Sequence, residues 1–264
     1  MKTTAKNQIN NEFYKQAGDI WWNPDEPLNL LETVVNPGRV GYFKRIIEQQ
    51  LQLPTKTLKA LEVGCGGGIL CEQIAGMGFQ TTGMDPSEAA LEAARAHAVK
   101  TGKKIEYVHG LGEHLPFPTS SFDVVFCCDV LEHVTDLGKV IAEISRVLKP
   151  GGHFFYDTIN RTPISKLVAI KIWQDWKMFA FMPKNLHVWD MFIKPRELKK
   201  HLVARGFDNQ DIKGLAPAVN PLTMLYYLRK RAKGQCTIAQ LGQKLKLRES
   251  RDKSMLYLGW AVLS

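Results

Sequence analysis

The stretch Leu58-Lys-Ala-Leu-Glu-Val-Gly-Cys-Gly-Gly-Gly-Ile-Leu70 constrains this chain more than any other. An apolar run enters a glycine-rich turn and then a helical pattern, which predicts a buried strand, a tight bend and a helix. Gly64, Gly66 and Gly68 remove side chains where the backbone must turn and where a ligand must come close. The third glycine of a dinucleotide fingerprint would fall at Ile69, and no Gly-Lys-Ser/Thr follows to make a phosphate-cradling loop. Glu62, two residues before the first glycine, can meet a cationic or hydroxyl-bearing ligand. The combination points to a nucleoside cofactor without a pyrophosphate, for which S-adenosylmethionine is the candidate.

The rest of the chain reads as a frame for that turn. Strand and helix patterns alternate from Leu58 to Thr158, predicting a doubly wound, Rossmann-like α/β sheet with its ligand at the carboxyl ends of the strands. Strands at 207–214 and 254–263 complete seven, the last antiparallel. Asp85 ends the second strand twenty-one residues beyond Gly64, placed to accept hydrogen bonds from ribose hydroxyls or to cap the next helix. The loop Gly110–Pro118 offers backbone near Gly112 and Glu113 for an adenine. Upstream, Asn36 as N-cap and Pro37 start a helix whose Val40, Phe43, Ile47 and Leu51 face the sheet. Arg39 lies on its first turn. Trp21 and Trp22, followed by two prolines, predict an irregular aromatic anchor, either a core plug or a wall of the substrate pocket.

These elements suggest one domain over residues 1–264: a helical cap (1–53), a cofactor-binding core (54–159), a lid insertion (160–193) and a basic insertion (215–253). The net charge of +9 is concentrated, since residues 229–253 hold nine Lys/Arg against Glu249 and Asp252. The chain offers no signal peptide and no apolar run of bilayer-spanning length. Five cysteines without a C-x-x-C pair suggest a reducing, cytoplasmic setting and no zinc site. As a helix, residues 166–182 place Val168, Ile172, Trp176 and Phe179 on one face and Lys166, Lys171, Gln174, Asp175 and Lys177 on the other. That pattern suits a lid, a helix lying at a membrane surface, or a helix packed on its own domain.

With those residues in view, the chain resembles the class I S-adenosylmethionine-dependent methyltransferases, and more narrowly the O-methyltransferases of ubiquinone biosynthesis. The general likeness lies in Glu62–Gly68, Asp85, Asp129-Val-Leu-Glu-His-Val134 and Leu148-Lys-Pro-Gly-Gly152. The narrower one lies in Trp21-Trp22, Asn36–Tyr42, Thr158-Ile-Asn-Arg161, Met182-Pro-Lys184, His187, Phe192-Ile-Lys-Pro195 and Asn220-Pro-Leu-Thr223. The resemblance implies cofactor contacts at Arg39, Gly64, Asp85 and Cys128. It also implies a divalent metal such as Mg²⁺ at Asp129, Glu132 and His133, with Asp129 standing where the family has Glu. The basic stretch from Leu225 to Lys253 is the largest departure.

Methyl transfer from a sulfonium needs alignment and a deprotonated acceptor, and a phenol has a pKa of about 10. His133 as general base beside Glu132, or a metal held by Asp129, Glu132 and His133, would supply the second need. His187, Trp21 and Trp22 are candidate substrate contacts. The expected reaction is methylation of a hydroxyl on an aromatic, polyprenylated quinol precursor, with peripheral membrane contact through 160–182. Other methyl acceptors, and a scaffold using its basic segment to bind a partner, are the competing readings. Nucleic acid is disfavoured because the basic residues cluster in one late segment and no RNA-binding module is present.

Overall fold

Strand-forming runs and amphipathic helices build one mixed sheet in the computed structural model, which describes residues 9–176, 180 and 182–264. The helices are α1 (Glu12–Lys15), α2 (Asn36–Lys44), α3 (Ile69–Gly76), α4 (Glu88–Thr101), α5 (Leu137–Val147), α6 (Pro163–Ser165), α7 (Pro195–Val203), α8 (Pro221–Ala232) and α9 (Ile238–Leu245). The strands are β1 (Lys59–Val63), β2 (Gln80–Asp85), β3 (Ile105–His109), β4 (Phe122–Cys128), β5 (Leu148–Ile159), β6 (Phe207–Pro217), β7 (Leu247–Ser250) and β8 (Leu256–Leu263).

The sheet has eight strands in the order β3-β2-β1-β4-β5-β8-β6-β7, where the sequence predicts seven. The first five are mutually parallel, and β8 runs antiparallel to both β5 and β6. The additional strand, β7, lies inside the basic insertion and pairs antiparallel with the end of β6. Four residues, two of them charged, carry too little apolar pattern to announce an edge strand. The predicted turn at Lys149–Gly152 is part of β5, with a register shift against β4 between Phe122 and Val124.

Two apolar layers follow from the alternation of side chains along the central strands. On one face Val125, Cys127, Phe154 and Tyr156 meet Val140, Ile141 and Ile144 of α5 and Leu198 of α7. On the other, Val124, Phe126 and Phe155 meet Tyr42, Phe43, Ile46 and Ile47. The helix carrying those residues differs in detail from its prediction. It runs on from π-helical turns at Leu31–Val35 and continues into others at Arg45–Gln50, so Asn36 is not an N-cap. The Asn36 side chain instead accepts a hydrogen bond from Arg39 (3.0 Å). The altered phase buries Tyr42 and Ile46 beside Phe43 and Ile47, and leaves Val40 and Leu51 only partly covered.

The lid segment is corrected in the same way. It is π-helical from Lys166 to Asp175 and stops there, with Trp176 extended. A π-helix bonds i to i+5, so a wheel drawn at 3.6 residues per turn misplaces its faces. Gln174, predicted on the polar face, is buried, and Trp176, predicted on the apolar face, is 57% exposed. Phe179 and Lys177 lie outside the described residues. No described helix is long and apolar enough to cross a membrane.

Phe126 is the centre of the second layer, its ring 5.2 Å from Phe155 and 5.3 Å from Phe43. Phe126→Ala is expected to destabilise the protein by about 3–5 kcal/mol, a loss that urea titration followed by circular dichroism will measure.

Candidate active site

The glycine turn sits between the end of β1 and the start of α3, with positive φ at Gly64, Gly66 and Gly68. Its neighbours approach so closely that added side chains would collide: a Cβ on Gly64 would lie 2.3 Å from Val130, and one on Gly66 or Gly67 2.4 Å from Trp21. The amides of Gly64 and Cys65 both donate to the Met84 carbonyl, which ties the turn to β2 (2.7 and 3.0 Å). Asp85 secures it further, one oxygen accepting from the Gly66 amide (2.8 Å) and the other from the Ser87 amide (2.9 Å). The N-cap of α4 is Ser87, not Asp85. Each Asp85 oxygen retains a lone pair for a ligand hydroxyl.

Glu62 is buried, and its Oε2 has no hydrogen-bond partner among the described residues. Burial pushes its pKa up to about 8, against the opposing pull of a Cys71 hydrogen bond and of Arg39. The orphaned oxygen, the side-chain-free turn and the spare acceptors of Asp85 fit a hydroxyl-bearing, cationic nucleoside such as S-adenosylmethionine. Trp21 packs directly on the turn, while Trp22 donates its indole N–H to the Gly67 carbonyl (2.8 Å) and stacks on His97. Both tryptophans thus border the glycine turn and not the histidine cluster described below. Gly112 lies beside Val63 at the end of β1. Glu113 is occupied elsewhere, accepting from Thr135 (2.9 and 2.7 Å) and from the Asp136 amide at the start of α5. Burial raises its pKa, but these hydrogen bonds outweigh that and hold it below the usual carboxylate range.

The exit of β4 forms the second half of the site. Asp129 adopts φ +55°, and its amide donates to Asp157 on β5 (2.9 Å). The buried Arg39 guanidinium pairs with both Asp129 and Asp157. Burial opposes its charge, but the two carboxylates hold its pKa well above normal. Burial lifts Asp157 to about 7, with Arg39 pulling the other way. Cys128 adjoins this pair, its thiol pushed well up by burial. Arg39, assigned by resemblance to a cofactor carboxylate, here has its fork engaged by the protein's own carboxylates.

Glu132 is buried and accepts from the Thr158 hydroxyl (2.7 Å); burial and Asp129 push it up to about 8. His133 is partly buried, with a fully covered Nδ1 that has no partner. Its ring lies 5.3 Å from that of Tyr14 and 5.1 Å from that of His187. Desolvation and His187 hold His133 well below its ordinary pKa, and burial lowers His187 to about 4. Both imidazoles are therefore neutral at physiological pH. The side chain of Gln174 clamps the His187 backbone from both sides (3.1 and 2.6 Å).

This geometry does not fit the metal set predicted from the sequence. Asp129 is engaged by Arg39, Glu132 by Thr158, and His133 faces aromatic rings. Among the described residues, no three His, Cys, Asp or Glu side chains converge on a metal position. Tyr14, Asp157 and Gln174 are members of the site that the sequence did not single out, and Thr158 entered only as the start of the Thr158–Arg161 stretch. The polar pair Asp157-Thr158 inside an apolar strand was the available signal, whereas Tyr14 and Gln174 carried none. Val130, packed on Gly64, places this cluster against the glycine turn.

Comparison with known proteins identifies the fold and the family. The methyltransferase domain family matches residues 61–156. An S-adenosylmethionine-dependent methyltransferase from Aquifex aeolicus shares the fold at 14% identity, with a TM-score of 0.58 over 92% of this chain and 99% of that one. One from Mesorhizobium loti does so at 22% identity, with a TM-score of 0.54 over 81% and 94%. The matched methyltransferase domain and the curated relatives define an S-adenosylmethionine-dependent methyltransferase. Ubiquinone biosynthesis O-methyltransferases of Marinobacter nauticus and Aliivibrio fischeri are 38% and 39% identical to this chain, covering 81% and 82% of it and 87% and 89% of their own length. The chain belongs to the ubiquinone biosynthesis O-methyltransferase family.

Two predictions follow from the buried charges. Arg39→Met leaves two carboxylates without their cation and is expected to cost about 3–5 kcal/mol in urea titrations. For His187 the folded pKa is lowered, so protons bind the unfolded chain first as pH falls below about 6.5, and stability is lost between there and about 4. His187→Gln should reduce the slope of stability against pH in that window by roughly 1 kcal/mol per unit.

Proposed function

We propose that this chain methylates a phenolic hydroxyl of a polyprenylated quinol precursor, with His133 taking the hydroxyl proton. The observation that carries the reading is the neutral His133–His187 pair abutting, through Val130, the glycine turn. When bound, S-adenosylmethionine supplies an electrophilic methyl group. The chain's own part is to hold the donor on the Gly64–Gly68 turn, with Asp85 and Glu62 as acceptors. Burial holds Glu62, Glu132 and Asp157 towards their neutral forms near pH 7, and a positively charged ligand beside them would be stabilised by their ionisation.

A depressed pKa keeps His133 in the neutral form that can take a proton, while making it a weaker base than a free imidazole. His187, fixed by Gln174, keeps the ring beside it in place. Tyr14 touches both Trp21 and His133, so the described part of the amino-terminal cap, residues 9–53, joins donor and acceptor sides. The lid 160–193 exposes Ile164, Leu167 and Trp176 beside Lys166 and Lys171, a composition suited to a membrane surface from which a prenyl tail would be drawn. The protein would then work in the cytoplasm at the membrane face.

His133→Ala is expected to lower kcat by about 10²–10⁴ while leaving S-adenosylmethionine affinity by calorimetry unchanged. Transfer of labelled methyl to catechols with and without prenyl tails tests acceptor class. Near-normal turnover in His133→Ala would remove the base assignment, and absence of any catechol methylation would remove the acceptor.

A further inference from the structure

Helix α8 has a surface that neither the fold nor the active site uses. It spans twelve residues, yet none of its described side chains is buried. A short helix in water gains little from propensity alone and ordinarily depends on an apolar face packed against something. Here the most exposed stripe is itself apolar: Leu222 is 80%, Leu225 40% and Tyr226 54% exposed. These stand at i, i+3 and i+4, and the same stripe continues through the exposed Arg229 to Lys233. Lys230 lies over the Tyr226 ring, and residues 221–233 contain four cations and no acidic residue.

The following helix anchors this one. α9 buries Ile238 and Leu241, and a side chain on Gly242 would collide with Thr33. The Ala239 amide donates to the Pro24 carbonyl (2.9 Å). The insertion is thus fixed to the N-terminal layer through α9, with α8 turned outward. Its start also has a fixed place in the topology. β5 and β6 run parallel, and α8 begins just beyond the carboxyl end of β6 as the lid begins beyond that of β5. The exposed Ile164, Leu167 and Trp176 of the lid and the stripe of α8 therefore leave from one edge of the sheet.

We infer that α8 is a second membrane-docking element, seating Leu222, Leu225 and Tyr226 in an anionic bilayer surface with Arg229, Lys230, Arg231 and Lys233 on the headgroups. Large apolar side chains beside cations, with no acidic residue among them, match a bilayer interface. A nucleic acid would meet the cations and leave the leucines in water. The lid, which leaves the same end of the sheet, carries exposed apolar side chains beside lysines as well. The inference is independent of the acceptor's identity, because it concerns binding and not transfer.

Co-sedimentation of the full chain with phosphatidylglycerol and with phosphatidylcholine vesicles tests it. Wild type is expected to pellet with the former and far less with the latter. Each basic side chain near an anionic leaflet is worth about fivefold in partitioning, so Arg229→Glu with Lys233→Glu should weaken binding by at least about twenty-fivefold. Leu222→Ser with Tyr226→Ser should weaken it by about tenfold or more. Both double variants should keep the circular dichroism spectrum, S-adenosylmethionine affinity and turnover of a tail-less catechol, which separates lost docking from lost catalysis or folding. Leu167→Ser with Trp176→Ser serves as the lid comparison. Absence of wild-type binding to phosphatidylglycerol, or binding lost in the lid variant alone, would overturn the inference. Competition by an RNA oligomer that is equally effective on wild type and on Leu222→Ser with Tyr226→Ser would assign the surface to nucleic acid and overturn it as well.

Discussion

The buried Arg39 guanidinium, held between Asp129 and Asp157, is the interaction on which the rest of the site depends. It joins three elements that are distant in sequence: α2, the exit of β4 and the middle of the sheet at β5. A guanidinium so covered would be untenable without the two carboxylates that face it. The strained backbone of Asp129 is secured by the same group, since its amide donates to Asp157. The direction in which the chain leaves β4, and with it the placement of Glu132 and His133, follows from that knot.

Around the knot the protein separates two kinds of titratable group by environment. The carboxylates of Glu62, Glu132 and Asp157 are pushed up by burial, while the imidazoles of His133 and His187 are pushed down. Both shifts favour neutral forms near pH 7, so the site combines unprotonated imidazoles with carboxyl groups that a cationic ligand would readily ionise. A sulfonium donor placed on the adjacent glycine turn supplies such a charge. In the proposed reaction, donor recognition and acceptor activation would be linked electrostatically, with the Val130 side chain packed on Gly64 between them.

Much of the fold was legible because its signals are local. Apolar strands punctuated by glycine and proline announced β1 to β5, while the cap that Asp136 places on α5 through the Lys139 amide (3.1 Å) emerged only with the structure. The misreadings share a cause. Asn36 was predicted to cap a helix that in fact continues through it, because partner choice for its side chain was made by Arg39 from within the fold. Gln174 was assigned to the wrong face because π-helical turns change the period on which the assignment rests. β7 escaped notice because an edge strand takes its register from β6 and not from its own pattern.

The sequence by itself determined the donor side: glycine spacing and the acid that follows it are set by backbone sterics within about twenty residues, and such constraints are written in residue type. Only the tertiary structure decided what surrounds the exit of β4. It engaged Arg39 with two aspartates, turned the proposed metal ligands toward separate partners, and brought His187 from the lid against His133 with Tyr14 from the amino-terminal segment. Burial and pairing depend on which distant segments share a volume, a property of the packed chain that no single stretch of residues carries.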